Sequence, residues 1–237
     1  MGHTESTEKG TALFEVPQPR IAISGSDGTF PVHRIYCIGR NYAAHARESG
    51  GDPDREPPFY FMKPADAIVA DGSSVPYPPR TNNLHHEIEL VVAIGNAGEN
   101  VSVEEATRCI FGYAVGIDLT RRDLQAEAKN DGRPWDTAKG FDRSAPIGAI
   151  HPARKSGHPA RGRIWLAVNG ELRQDGNLDE MIWRVPEAIA ELSTLFALLP
   201  GDLIFTGTPA GVGPLERGDR ITGGIEGVDQ IAISITG

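Results

Sequence analysis

His85-His86-Glu87-Ile88-Glu89-Leu90-Val91-Val92 is the stretch on which the reading of this chain turns, because it sets two carboxylates at the mouth of an apolar strand. Successive side chains of a strand point to opposite faces, so Glu87 and Glu89 share one face while Ile88 and Leu90 share the other. Like charges on one face repel. A cation between them removes the conflict, and carboxylate oxygens select a hard one such as Mg2+ or Mn2+. Taken alone, a solvated strand edge is the commoner source of such a pattern.

The composition narrows what surrounds the strand. The 237 residues are enough for one substantial domain, and 39% apolar content supports an ordinary buried core. Twenty-three Lys and Arg against 32 Asp and Glu give a formal charge of −9, which argues against nucleic acid or an anionic membrane as the main partner. An anionic substrate then needs a local cationic patch or a metal. No apolar run nears the length of a membrane span and the first ten residues lack the apolar core of a signal peptide, so the expectation is a cytoplasmic protein. Cys37 and Cys109 each sit among apolar residues, which predicts two buried, reduced thiols.

Working outward, the chain reads as short strands with few helices. Arg20–Ser24 and Val32–Gly39 predict a hairpin across Gly25–Gly28, and Asn41 can cap a short helix that carries His45 and Glu48 three residues apart. Residues 49–58, rich in Gly, Pro and charge, predict a mobile loop able to act as a lid. Phe59–Lys63 is a strand closed by Pro64 and resumed by Ala67–Val69, and residues 74–79 are a proline-punctuated connection into a strand over 88–95. Ser102 and Glu105 form a capping box for a helix over 103–110, a buried strand follows over Tyr113–Asp118, and residues 120–129 have a helical pattern. Asn169-Gly170 is a hairpin turn between Ile164–Val168 and Glu171–Gln174. Pro186 opens the clearest helix, whose stripe Ile189, Leu192, Phe196 and Leu199 predicts core contact, and Pro200-Gly201 stops it. Leu203–Thr206 and the alternating Ile231, Ile233 and Ile235 complete the strands. The class is α+β and β-rich, with residues 1–30 an appendage and 31–237 the catalytic domain.

Four groups of residues could carry chemistry. Glu87, Glu89 and Asp118 place three carboxylates at the ends of two apolar strands, a donor set for Mg2+ or Mn2+ with positions left for water and substrate oxygens. His85 and His86 keep a softer ion, Zn2+ or Fe2+, open. His45 with Glu48 could be an oriented imidazole that activates water. Lys139 could pair with a substrate carboxylate or an enolate oxygen. Thr206-Gly207-Thr208-Pro209 lets backbone and hydroxyl donors approach a ligand but lacks the Gly-Lys-Ser/Thr of a phosphate loop.

Taken in order, these residues resemble the fumarylacetoacetate hydrolase family. The matching stretches are Gly39-Arg40-Asn41-Tyr42 with His45 and Glu48, Phe61-Met62-Lys63-Pro64, His86-Glu87-Ile88-Glu89-Leu90 and Gly116-Ile117-Asp118 through Arg122-Asp123-Leu124-Gln125. Lys139-Gly140-Phe141-Asp142, Val168-Asn169-Gly170-Glu171 and Pro200-Gly201-Asp202 with Thr206 to Gly213 continue the match. The resemblance implies a mixed β-sandwich roll, a homodimer, and Mg2+ or Mn2+ on Glu87, Glu89 and Asp118. It also implies a water-activating His45 and Glu48 on the lid, with Lys139 as a third catalytic group and Arg40, Arg122, Gln125 and Thr208 at the substrate. His86 departs from close relatives, which often carry another residue there. Val32–Cys37, His85-His86 and Gly132–Trp135 point within the family to a 2,4-dioxo acid substrate, fumarylpyruvate of the gentisate pathway going to fumarate and pyruvate. Other acylpyruvates, oxaloacetate decarboxylation and isomerisation of a diene-dioate are the alternatives on the same scaffold, with a non-enzymatic binding module as the outsider.

Overall fold

The strand Ile88–Ile94 is buried along its whole length, so both of its faces need cover, and the molecule is two layers built to provide it. The structure, a computed structural model, describes residues 12–48 and 57–237; within them the side chains of residues 46–48 are not described. The expected lid over 49–58 therefore lies almost wholly outside the described residues.

Ile88–Ile94 is central in an eight-stranded mixed sheet. It is antiparallel to Ile110–Ile117 on one side and to Leu203–Phe205 on the other. Ile35–Gly39 and Phe59–Lys63 extend the sheet one way, and Ala145–Ile147 and Ile68–Ala70 the other. Ile88, Leu90, Val92 and Ile94 face a five-stranded sheet formed by Glu171–Asn177, Arg163–Val168, Arg220–Ile225, Asp229–Thr236 and Ser74–Pro76. Val91 and Ala93 face the other way, into a second cluster with Cys37, Phe205, Ile21 and Phe30. The result is the expected β-rich fold with a few short helices, and Cys37 and Cys109 are buried and unpaired by a disulfide. No helix among the described residues is long and apolar enough to cross a membrane.

Several local expectations are corrected by tertiary pairing. Arg20–Ala22 pairs with Thr29–Pro31, not with the strand after it. Proline cannot extend that ladder, and Ile35–Gly39 instead lies parallel to Leu203–Phe205 and antiparallel to Phe59–Lys63. Ser74–Pro76 is a strand, parallel to Asp229–Thr236, with its proline at the ladder's end. Leu84–His86 belongs to a separate three-stranded sheet with Thr120–Arg121 and Gly213–Leu215, so Glu87 sits at the junction between two strands. The helix expected from residue 120 begins at Arg122 for the same reason.

Asn41 also reaches beyond its own segment: its amide donates to the carbonyls of Trp183 and Thr206 and its oxygen accepts from the Trp183 N–H, tying three loops together. The capping box at Ser102 and Glu105 is present, yet the α-helix runs only from Val103 to Ala106 and tightens into a 3-10 turn. The strand after it starts at Ile110 rather than Tyr113. In the helix Val185–Leu195 the core side is Ala188, Ile189 and Leu192, while Phe196 and Leu199 lie past its end, 38% and 40% exposed. Arg220–Ile225 escapes sequence reading because Gly223 and Gly224 interrupt its apolar pattern.

Gly223 shows why that pattern is broken. A Cβ there would come within 2.7 Å of Ile88 Cδ1 and 3.0 Å of the Trp165 carbonyl, at the point where the two sheets meet. Gly223→Val should lower the stability of the fold by about 1–3 kcal/mol, the ordinary cost of overpacking, read as a shift of the urea midpoint. An unchanged midpoint would contradict the packing described.

Candidate metal centre and active site

Glu87, Glu89 and Asp118 come together because Ile88–Ile94 and Ile110–Ile117 are paired in register. Glu89 stands opposite Gly116, and the Asp118 N–H donates 2.8 Å to the Glu87 carbonyl. One carboxylate oxygen from each of the three residues lies within 4.8 Å of the others, and all three residues are buried. Three carboxylates in a low-dielectric interior are costly unless neutralised.

The neutralising charges come from three other elements. Lys139, on the helical turn Asp136–Lys139, donates to Glu87 Oε2 at 2.7 Å, Asp118 Oδ2 at 2.6 Å and Thr120 Oγ1 at 2.7 Å. An ammonium has three protons, so all of them are committed. Lys63, at the end of Phe59–Lys63, lies 2.8 Å from Asp118 Oδ1 but aims its protons at the carbonyls of Leu119 and Lys139. Arg122, first residue of the helix Arg122–Asn130, pairs with Glu87 Oε1 and donates 2.6 Å to Gln125 Oε1. Three carboxylates thus face three cations.

Protonation follows from this layout. Burial alone would raise the Glu87 carboxyl, but Lys139 and Arg122 outweigh it and hold Glu87 well below the usual carboxylate range. Among the described residues Glu89 accepts from the Gly207 N–H, at 2.7 Å, and burial, reinforced by Asp118 and Glu87, outweighs that bond and the Lys139 charge and pushes its carboxyl well above that range. Gly207 can make that approach because it adopts φ +95° and because a Cβ there would meet Asn41 at 2.7 Å. Burial lowers the Lys139 ammonium, and Asp118 and Glu87 more than restore it, so it stays charged.

The centre fits a divalent cation on two observations. Asp118 Oδ1 is buried with no well-aligned hydrogen-bond donor, only the Lys63 ammonium 2.8 Å away, and Glu89 is a carboxyl whose raised affinity for a proton comes in part from two neighbouring carboxylates. The donors are all oxygen, which suits Mg2+ or Mn2+. Neither histidine completes a softer site: His85 is 2.9 Å from Asn83 Oδ1, and His86 turns its Nδ1 to Gln174 Oε1 at 2.9 Å.

A narrow cleft opens above the carboxylates. Among the predicted residues, Arg40, His45, Glu87, Arg122, Gln125 and Lys139 line it, as does Thr208. His45 lies on the short helix Ala43–Glu48 and is buried; the Glu48 side chain is outside the described residues. A second compartment continues past His45, Arg122 and Gln125 to His85, Lys129 and Val212. Arg121 is not part of the cleft: its guanidinium donates to the Thr137 carbonyl and stacks on Phe141 at 4.4 Å.

Sequence reading assigned no role to Lys63 or Lys129. Lysine closing an apolar strand was the available signal for Lys63. For Lys129 it was spacing, since Arg122, Gln125 and Lys129 fall at i, i+3 and i+7 on one helix face. Burial, with the charges of Arg40 and Arg122 nearby, holds the Lys129 ammonium below its ordinary value, which shows how closely the three cations are grouped.

Known proteins share this architecture. The model of the fumarylacetoacetate (FAA) hydrolase C-terminal family matches residues 34–236. A fumarylpyruvate hydrolase of Ralstonia sp. is 47% identical over 184 residues, covering 78% of this chain and 95% of that protein. A mitochondrial oxaloacetate tautomerase of Mus musculus is 45% identical over 201 residues, covering 85% and 90%. The crystal structure of fumarylpyruvate hydrolase from Pseudomonas aeruginosa in complex with Mn2+ and pyruvate superposes with a TM-score of 0.93 at 53% identity, covering 95% of this chain and 99% of that one.

Asp118 is the keystone of the charge network, since it faces two ammonium groups. Asp118→Asn should destabilise the metal-free protein by about 3–5 kcal/mol in urea unfolding, because both lysines lose a buried partner. A change below about 1 kcal/mol would show that the lysines do not depend on it.

Proposed function

The chain belongs to the fumarylacetoacetate hydrolase family, and from that membership we propose that it hydrolyses the carbon–carbon bond of an acylpyruvate, fumarylpyruvate being the substrate that fits best. Its cofactor is a divalent cation, Mg2+ or Mn2+.

The observation that carries the substrate reading is the charge of the cleft. Glu87, Glu89 and Asp118 are matched by Lys63, Lys139 and Arg122, so a divalent cation leaves the centre positive, and Arg40 and Lys129 add to that at the walls. A dicarboxylate restores the balance. Oxaloacetate is also a dicarboxylate, but the second compartment toward Lys129 and Val212 extends the cleft beyond what so short a molecule occupies.

Held by Glu87, Glu89 and Asp118, the cation would supply Lewis acidity that polarises neighbouring oxygens of the dioxo acid. His45, oriented by Glu48, takes a proton from water, and the hydroxide adds to the carbonyl beside the fumaryl group. Collapse of the tetrahedral adduct breaks the carbon–carbon bond and releases the pyruvate enolate, which is then protonated. Lys139 acts on that enolate through its charge at short range, because its protons are already given to Glu87, Asp118 and Thr120. Gln125 accepts from Arg122, which leaves its amide protons for the substrate, and Arg40 and Lys129 face the distal carboxylate. The same enolate chemistry without attacking water gives tautomerisation or decarboxylation of oxaloacetate, the second reading, which the tautomerase relative favours.

Incubation with fumarylpyruvate, maleylpyruvate, acetylpyruvate or oxaloacetate, with Mg2+ or a chelator, separates these readings by pyruvate release and, for oxaloacetate, by the ultraviolet absorbance change of keto–enol exchange. Metal-dependent release, fastest from fumarylpyruvate, is expected; preference for oxaloacetate would overturn the choice of substrate. His45→Ala should lower kcat by about 10²- to 10⁴-fold while Mn2+ still binds, and unchanged turnover would remove the water-activating role.

A further inference from the structure

Gln174 makes every hydrogen bond its carboxamide allows, and the set has only one arrangement of protons. The Ile88 N–H donates to Oε1 at 3.1 Å, and His86 Nδ1 lies 2.9 Å from the same oxygen. Nε2 donates to the Pro209 carbonyl at 2.9 Å and to Thr208 Oγ1 at 2.8 Å. A peptide N–H only donates and a carbonyl only accepts, so Ile88 and Pro209 fix the carboxamide's orientation from both ends.

Two consequences follow. His86 must carry a proton on Nδ1, which it donates to Gln174 Oε1, bracing the carboxamide from behind. Thr208 Oγ1 must receive a proton from Gln174, so its own proton points elsewhere. Among the described residues that hydroxyl has no acceptor, and Thr208 is one of the residues that line the cleft with Glu87, His45 and Lys139. Gln174 itself lies on Glu171–Asn177 of the second sheet, fully buried and outside the cleft.

We infer that Gln174 is a positioning residue that makes the Thr208 hydroxyl an obligatory hydrogen-bond donor toward a carboxylate or enolate oxygen of the substrate, with His86 holding Gln174 in place. The inference rests on the proposed acylpyruvate site. Without Gln174 the hydroxyl rotates freely and can turn a lone pair toward the same oxygen, which repels it. His86, the residue that departs from close relatives, thereby acquires a task at one remove from the substrate.

A double-mutant cycle tests this on the Mg2+-loaded enzyme. Thr208→Val should raise KM for fumarylpyruvate roughly 10- to 100-fold, the worth of one hydrogen bond to a charged group, with a smaller change in kcat. Gln174→Met should do nearly the same alone and add almost nothing in the Thr208→Val background. Equal losses from Gln174→Met in both backgrounds would overturn the inference, as would a Thr208→Val enzyme with unchanged KM, while leaving the hydrolase reading intact. If Gln174→Met does not fold, or fumarylpyruvate is not turned over, neutron diffraction of the unaltered protein soaked in heavy water with Mn2+ decides. A deuteron on Thr208 Oγ1 directed into the cleft sustains the inference, and one directed at Gln174 overturns it.

Discussion

Burying three carboxylates beside one another is the constraint on which the rest of this molecule depends. At a separation of about 4 Å, two like charges in a protein interior repel by several kcal/mol even with an effective dielectric near 20. Lys63, Lys139 and Arg122 must therefore reach Glu87 and Asp118, and each is delivered by a different element: the end of a sheet strand, a short helical turn and the start of a helix. Among the described residues Glu89 accepts from one backbone donor, Gly207. The three cations balance the three carboxylates when Glu89 is ionised, and Asp118 Oδ1 has no well-aligned hydrogen-bond donor. That combination suits a divalent cation, which adds charge that a dianionic substrate can offset.

The two-layer fold supplies the rigidity such a centre needs. Ile88 and Leu90 pack against the second sheet while Glu87 and Glu89 look to the opposite side, so the apolar interface fixes the carboxylates by the two-residue period of the strand. The second sheet does more than cover the first. Through Gln174 it reaches past Ile88 to the Thr208–Pro209 loop, and through Asn41 the short helix-bearing segment is tied to the same loop at Thr206. The imidazole of His45 and the Thr208 hydroxyl thus answer to one framework.

Much of this was legible in the sequence, for reasons that can be traced. Alternation in Glu87–Leu90, the turn Asn169-Gly170 and the capping box at Ser102 are local signals, and each appears where local physics places it. Asp118 was recognisable as the third carboxylate because it follows an apolar run. Pairing over long range was not legible: Ile35–Gly39 read as the partner of a neighbouring strand and instead joins Leu203–Phe205, and Ser74–Pro76 read as a connection because its prolines hide a parallel partner at the far end of the chain. The charge partners were hidden by the same limit. Nothing near Lys63 in sequence announces Asp118, and Gln174 sits among exposed polar residues of its strand, so only the folded chain shows that it is the buried one.

Glu87, Glu89 and Asp118 are proposed to hold the divalent cation, and anomalous diffraction at the manganese edge, from crystals of this protein grown with Mn2+, tests that assignment. A single strong peak is expected within bonding distance of one oxygen from each of the three carboxylates, with Lys63 and Lys139 still at Asp118. A peak on His85 or His86, or none between the carboxylates, would contradict it.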